Sequence, residues 1–331
     1  FVPDAVVSVR AADEVEALVR FARAERWPVV PRGAGTGKVG GALAARGGIV
    51  VDFLSMDAIR EIDPVDLVAV VEPGVLLGTF QSAVEALGLF YPPDPNSQGT
   101  CTLGGNVAHD AGGPRAVKYG VTREWVQGLE VVLGTGERVR TGHRSRKGVA
   151  GLDLTALLIG SEGTLGLFTE LVLRLVPKPP AVETALAVYG GPSGEEDALR
   201  TVNALFGAGL LPRTCEFLDT AAIRAVATRG PFAFPGDVSA ALVVEVDGTP
   251  EGCAAELAVL EKVAHASGAR EVLLARNDSE RRSIWDTRRL VSPSLRALRP
   301  LKVSEDVAVP RSKILPMVRK VREIGSEFGL D

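Results

Sequence analysis

The chemistry of this 331-residue chain is concentrated in glycine-rich stretches. The first is Pro31-Arg32-Gly33-Ala34-Gly35-Thr36-Gly37, directly after the apolar run Pro28-Val29-Val30. Glycine has no Cβ, so it reaches φ > 0 and lets backbone approach a ligand closely. Successive backbone N–H groups in such a turn form a concavity that binds anions. The anion this suggests is the pyrophosphate of a dinucleotide. A P-loop is excluded, because Arg32 stands where its first glycine belongs and Val39 where Ser or Thr belongs. A Rossmann fingerprint is excluded too, because it needs a helix straight after the glycines. Residues 38–48 contain Gly40, Gly41, Gly47 and Gly48 and leave no room for one.

Two more glycine sites follow. Leu103-Gly104-Gly105-Asn106 lies within a long segment, residues 91–120, that reads as irregular. Loops of that length in compact domains are usually functional or disordered, and its apolar, aromatic ends argue against disorder. The third site is Gly160-Ser161-Glu162-Gly163-Thr164-Leu165-Gly166.

Histidine and cysteine chemistry is sparse. His109 lies in the second glycine segment, where it faces a cofactor or is merely hydrogen-bonded. His143 sits in the basic run of Arg144, Arg146 and Lys147, and His265 on a later helix reads as surface. None has a partner at metal-ligand spacing, so no metal site is assigned. Cys101, Cys215 and Cys253 are scattered, which favours reduced thiols in a cytoplasmic setting. Cys101 reads as a small buried side chain.

The elements that must position these residues are legible in outline. Residues 5–9 read as a strand. Asp13, with Glu16, reads as the cap of a helix whose apolar stripe is Val15, Leu18, Val19 and Ala22. Strands follow at 28–30, 48–52 and 67–71, then a helix at 77–87 with Gly88 at its C′ position. A hairpin joins 127–133 to 138–141, and a strand covers 171–176. Pro177, Pro179 and Pro180 mark a linker. Beyond it, strands at 184–188, 214–218, 240–246, 271–274 and 302–309 mix with helices at 195–206 (capped by Ser193 with Glu196), 251–267, 279–290 and from 312. That mixture indicates an antiparallel α+β unit. Hydrophobic content of 46%, charged content of 24% and a net charge of -4 describe a globular chain without a basic nucleic-acid footprint. There is no apolar run long enough for a membrane span.

The three glycine sites, in this order, resemble the FAD-binding domain of the vanillyl-alcohol-oxidase-type (PCMH) flavoproteins. Pro93-Asp94-Pro95 and Ala111-Gly112-Gly113-Pro114-Arg115 through Lys118-Tyr119-Gly120 add to the likeness. Within that group the chain is most similar to the glycolate oxidase FAD subunit and the D-lactate and D-2-hydroxyglutarate dehydrogenases, helped by Lys302-Val303-Ser304-Glu305-Asp306. The resemblance implies an α+β fold. A PCMH-type FAD-binding domain of two α/β subdomains, residues 1–176, would precede an antiparallel, ferredoxin-like cap, residues 177–331, shortened at its C-terminal end.

It also implies non-covalent FAD. Arg32, Gly33, Ala34, Gly35, Thr36 and Gly37 would cradle the pyrophosphate. Pro95, Ser97, Thr102, Gly104, Gly105, Ala108 and Gly112 would line the flavin. Gly160, Glu162, Gly163 and Gly166 would close over it. Arg288, after Trp285, would bind a substrate carboxylate with help from Lys302; Ser292 shares that face, but Pro293 disfavours helix there. The implied reaction oxidises a small 2-hydroxy acid of the glycolate or D-lactate type to its 2-oxo acid. A hydride goes to flavin N5 and electrons go on to a non-nicotinamide acceptor, through an iron–sulfur or second flavin-fold partner subunit, peripherally at the inner membrane. The alternatives are an FAD enzyme of different specificity and a non-catalytic FAD-bearing subunit.

The chain departs from the family's pattern in four places. Lys38-Val39 follows the third glycine, Asp110 replaces the commoner Asn, and Leu152 replaces a common Tyr. The family's histidine-rich motif, which supplies the metal ligands and, with residues after it, the catalytic base, would fall beyond Asp331. A divalent metal is therefore expected only if the chain continues.

Overall fold

In the computed structural model, residues 1–298, 303 and 306–330 are described. They form two compact units, Phe1–Lys178 and Pro179–Asp331.

Among its described residues the first unit holds two larger sheets and a two-stranded one that pairs residues 89–90 with 176–177. In chain order it contains β1 (Ala5–Ser8), α1 (Ala12–Glu25), β2 (Val29–Arg32), β3 (Ile49–Asp52), β4 (Ile59–Asp63), β5 (Val68–Val71), α2 (Leu77–Glu85) and β6 (Leu89–Phe90). Next come α3 (Leu103–His109), α4 (Ala116–Tyr119), β7 (Val126–Leu133), β8 (Arg138–Gly142), α5 (Leu154–Leu158), β9 (Gly166–Arg174) and β10 (Val176–Pro177). The three-stranded sheet has the order β1-β3-β2, with both edge strands parallel to β3. The expected stripe of α1 is its buried face: Val15, Val19 and Ala22 pack with Ile49, Val51, Phe53 and Met56, and Leu18 lies alongside. Val132 and Leu167 of the larger sheet join the same cluster, which ties the two sheets together through one core.

The larger sheet is antiparallel, in the order β4-β5-β9-β7-β8. One face buries Val71, Leu129, Val131, Leu171 and Leu173 against Leu77, Phe80 and Val84 of α2 and Leu103 and Val107 of α3. The other carries an ion-pair ladder of Glu130 with Arg140 and of Glu72 with Arg60. Only part of that face is left to charges, because Val132 and Leu167 at the ends of β7 and β9 are buried in the α1 cluster.

Several local readings are corrected. Asp13 does not cap α1; its carboxylate pairs with Arg138, while Glu14 accepts from Arg10 N–H at 2.7 Å. Gly88 lies two residues past the C-cap, Ala86, so it is not C′. Residues 91–120 are not wholly irregular, because α3 and α4 fall inside them. β4 and α5 were not anticipated, and β9 begins at Gly166 rather than at residue 171.

The second unit runs β11 (Ala181–Tyr189), α6 (Gly194–Gly207), β12 (Thr214–Leu218), α7 (Thr220–Val226), β13 (Ala240–Gly248), α8 (Pro250–Ala266) and β14 (Glu271–Leu274). It continues with α9 (Asp278–Arg289), α10 (Val291–Leu298) and α11 (Ile314–Glu327). Its sheet is antiparallel, in the order β12-β13-β11-β14. That order, with α6 and α8 as crossovers, is the ferredoxin-like split βαβ arrangement. One face packs Leu205, Leu260 and Ala264 on Leu242 and Val244. The other packs Ile223 and Ile284 on Leu186 and Val243.

Ser193 flanks α6 without a side-chain cap, and Glu196 pairs with Arg200 and Arg319 instead. Helix α10 includes Ser292 and Pro293, contrary to expectation. A proline is tolerated in a first turn, where its missing N–H has no helical partner to lose. Lys302, Ser304 and Glu305 lie outside the described residues; residues 306–309 are not a strand.

Candidate functional site

The first glycine loop leaves the C-terminal end of β2. Arg32 C=O accepts from Phe53 N–H at 3.0 Å, which pins the loop's start to the segment after β3. Gly35 has φ +67°, and a Cβ there would fall 2.4 Å from Arg32 Nη2. The guanidinium therefore lies across Gly35, held by the turn that glycine permits. It forms no hydrogen bond or ion pair among the described residues, yet Arg32 lines a cavity.

The second glycine site is the start of α3. Thr102 caps the helix, its Oγ1 accepting from Gly105 N–H at 3.3 Å. Gly104 N–H donates to Pro73 C=O at 2.8 Å, and a Cβ on Gly104 would come within 2.5 Å of Pro73 Cβ. The third site packs back on the other two. Glu162 N–H donates to Ala108 C=O at 2.9 Å, with Glu162 at φ +51°. Gly163, at φ +77°, would place a Cβ 2.2 Å from the Pro31 ring. Gly33 would place one 2.2 Å from Thr102 Oγ1. The loops thus touch pairwise: first to second at Gly33 and Thr102, second to third at Ala108 and Glu162, third to first at Gly163 and Pro31. Much of the glycine in these motifs is spent on this close approach of loops.

Between them is a cavity holding about 970 Å³ of empty space, part of it open to solvent. Of the residues singled out in the sequence, Arg32, Gly33, Ala34, Gly35, Thr36, Gly37, Pro95, Ser97, Thr102, Gly104, Gly105, Ala108, Glu162, Gly163 and Gly166 line it. Gly112 and Gly160 are not among its lining residues. Gly112 packs against Val121, and Gly160 N–H donates to Val107 C=O at 3.0 Å, so both support the wall from behind.

Several lining residues were not assigned from sequence: Gly41, Ala42, Phe53, Pro73, Cys101, Asn106, His109, Ala111, Leu167 and Phe168. Asn106 had a usable signal, since it ends the second glycine motif. Its side chain is 4% exposed, and its Nδ2 has no hydrogen-bond partner. A buried amide left unpaired is costly, and Asn106 lines the cavity, so a ligand acceptor there would offset that cost. Phe53 and Phe168 carried none, because ordinary core periodicity explains them equally well.

The lining fits FAD. The guanidinium and the glycine loop suit phosphates, the small and aromatic residues suit a flat ring, and Asn106 offers a donor to a ring heteroatom.

The remaining candidates fall elsewhere. His143 and His265 are exposed. Asp110 holds φ +50° and binds Arg123 N–H and Nε, and this pairing raises the Arg123 pKa above its ordinary range. Arg288, on α9 in the second unit, donates from Nε to Glu216 Oε2 at 2.6 Å, and its Nη2 pairs with the same carboxylate. Trp285 Nε1 donates to Glu245 at 2.6 Å. Lys302 lies outside the described residues. No group of three or more His, Cys, Asp or Glu suited to a metal ion occurs among the described residues, and none of their helices is long and apolar enough to cross a membrane.

Known families match both units. Residues 3–142 match the FAD binding domain, and residues 178–331 match the C-terminal domain of FAD linked oxidases. The chain is 40% identical to glycolate oxidase subunit GlcD of Bacillus subtilis over 328 residues, covering 99% of this chain and 69% of that protein. It is 34% identical to a D-lactate dehydrogenase of Anaerostipes hadrus, covering 98% and 69%. It is 33% identical to a D-2-hydroxyglutarate dehydrogenase of Stutzerimonas stutzeri, with the same coverage of 98% and 69%. The chain therefore spans about two thirds of these relatives' length. Among solved structures, an alkyldihydroxyacetonephosphate synthase superposes with a TM-score of 0.79 at 20% identity, covering 97% of this chain and 65% of that one. A p-cresol methylhydroxylase superposes at 0.71 and 19%, covering 88% and 63%. These two likenesses are of fold.

Proposed function

Since the chain belongs to the FAD-linked oxidases, we propose that it oxidises a small 2-hydroxy acid to the 2-oxo acid and passes the electrons to a non-nicotinamide acceptor. The observation that carries this is the three-loop cavity, with its unpaired Arg32 cation and its unpaired Asn106 donor, in a chain similar along nearly its whole length to 2-hydroxy-acid enzymes. FAD is the cofactor, and when bound it supplies the hydride acceptor.

The chain's own groups have distinct tasks. The residues of the first loop hold the phosphates, and Asn106 orients the ring. Residues 1–176 are the cofactor domain and residues 177–331 the substrate domain. Arg288 binds the substrate carboxylate, with Lys302 adding a second positive charge. Arginine suits this because its planar fork grips a carboxylate and stays charged. Glu216 takes the Nε–Nη2 edge of the guanidinium and so holds it in one orientation. The electron acceptor is a partner subunit, iron–sulfur or flavin-fold, consistent with the similarity to an enzyme subunit.

The test is anaerobic reduction. The protein at its full native length, carrying FAD, is mixed with glycolate, D-lactate or D-2-hydroxyglutarate, and flavin absorbance is followed. Bleaching by one of them is expected. An FAD-loaded protein that no 2-hydroxy acid bleaches would refute the reading.

A further inference from the structure

Three side chains able to carry charge line the FAD cavity: Arg32, Glu162 and His109. Arg32 and Glu162 belong to the glycine motifs. His109 is the last residue of α3 and belongs to none of them. Its ring rests on the first loop: a Cβ on Gly37 would lie 2.9 Å from His109 Nε2, and one on Gly41 would lie 3.6 Å from Cε1. On its other side Nδ1 is 3.9 Å from Glu162 Oε1, too far for a direct hydrogen bond. The Glu162 carboxylate reaches the same loop, its Oε2 lying 3.2 Å from where a Cβ on Gly41 would stand, so imidazole and carboxylate are side by side at the loop that receives the anion. Its side chain is 29% exposed, so the ring is held by the wall and is not a free surface group.

The Glu162 backbone is fixed where it is, while its side chain is 42% exposed. Its backbone is in the left-handed region at φ +51° and is tied to Ala108 by its N–H. A non-glycine residue keeps that conformation only when its surroundings enforce it. The neighbouring Asp110 is occupied by Arg123 and adds no free carboxylate to the wall.

The charges then need balancing. A pyrophosphate brings two negative charges into this cavity. Set against it, Arg32 and Glu162 cancel, leaving only backbone N–H groups. An imidazole donates one N–H in either neutral tautomer and two when protonated. We infer that His109 is a cofactor-contacting residue that donates to the phosphate side of FAD and offsets the carboxylate of Glu162. The inference rests on the FAD reading of this cavity.

The experiment is FAD binding to deflavinated protein, read by quenching of free FAD fluorescence, with folding checked by circular dichroism. His109→Leu should raise Kd about ten- to a hundredfold, the size of a lost charge-assisted hydrogen bond. His109→Gln keeps a donor but carries no charge to set against Glu162, so it should recover only part of the affinity lost in the leucine variant. In the Glu162→Gln background, where no carboxylate needs offsetting, His109→Leu should cost clearly less than in wild type. If leucine is not accommodated, His109→Ala replaces it in both backgrounds. An unaltered Kd in the leucine or alanine variant overturns the inference, as does an equal penalty with and without the Glu162 carboxylate. Wild-type protein that binds no FAD at all would instead refute the reading of the cavity itself.

Discussion

Gly163 and Gly105 look alike in the sequence, and the structure gives them opposite jobs. Gly163 has φ +77°, and a Cβ there would stand 2.2 Å from Pro31 Cγ and 3.1 Å from its Cδ. A proline ring cannot rotate away. Gly163→Ala therefore meets two penalties: left-handed backbone for an L-residue, about 1–2 kcal/mol, and overpacking, about 1–3 kcal/mol. Together they come to about 2–5 kcal/mol, or a Tm loss on the order of 4–20 °C for a unit of this size. Gly105 is helical, and its Cβ would meet only Thr102 Oγ1, at 3.2 Å. Gly105→Ala should leave stability within about 1 kcal/mol of wild type or raise it, since alanine is the better helix former. Gly105 does line the cavity, so Gly105→Leu should weaken FAD about ten- to a hundredfold by overlap with the ligand. The assay is thermal unfolding of the deflavinated variants, with FAD titration of each. A Gly163→Ala protein within about 2 °C of wild type, or a Gly105→Leu protein with normal FAD affinity, would refute the division into loop-packing and ligand-facing glycines.

Three further outcomes are expected. Asn106→Leu should weaken FAD about tenfold while leaving deflavinated stability nearly unchanged, because it removes a buried donor that has no protein partner; calorimetric titration beside thermal unfolding checks both. Arg288→Ala should cost about ten- to a hundredfold in kcat/KM towards 2-hydroxy acids without altering FAD content, Arg288→Lys should recover only part, and Arg289→Ala, whose arginine merely pairs with Asp286 on its own helix, should cost less; a larger loss at Arg289 would remove Arg288 from the site. Burial pushes the Tyr189 phenol up to about 12, so its contribution to stability is complete below about pH 10 and is lost as pH rises towards 12; urea midpoints across that window should fall, and fall less steeply in Tyr189→Phe.

The parts legible in sequence were those written in local pattern. The stripe of α1, the β7–β8 hairpin, β12 and β14 needed only periodicity and turn residues. The misses have specific causes. Helix α3 was hidden because Gly104 and Gly105 weaken its propensity; the Thr102 cap and the contact with Pro73 are what stabilise it. Asp13 matched a capping signature, but the helix begins one residue earlier, with Ala11 as its N-cap, so Asp13 falls inside the first turn and its carboxylate meets Arg138 instead. Strand β4 has the charged and polar pattern of a loop, because one of its faces carries the ion-pair ladder. Arg288 was identified from its type and its place after Trp285, whereas its pairing with Glu216 joins two elements that no local pattern connects.

The cavity shows why the glycine motifs could be found before their geometry could be known. A motif records which positions exclude a side chain. It does not record what excludes it. At Gly33, Gly104 and Gly163 the excluding group is another part of the chain, respectively Thr102, Pro73 and Pro31. At Gly105 a Cβ would meet only the capping Thr102 hydroxyl, at 3.2 Å, and the residue lines the cavity. The motifs are therefore signatures of a three-loop junction as much as of a ligand, and the ligand-specific information sits in side chains between the glycines. Arg32, Asn106, His109 and Glu162 are the polar side chains of the lining that we propose carry it. Two of them, Arg32 and Asn106, have a donor that no protein atom takes up. A fold that needed these loops only for its own packing would gain from replacing both with apolar residues, since unpaired donors in a half-buried wall cost stability. Their presence is what turns a junction of backbone into a site for an anionic, heteroatom-rich cofactor.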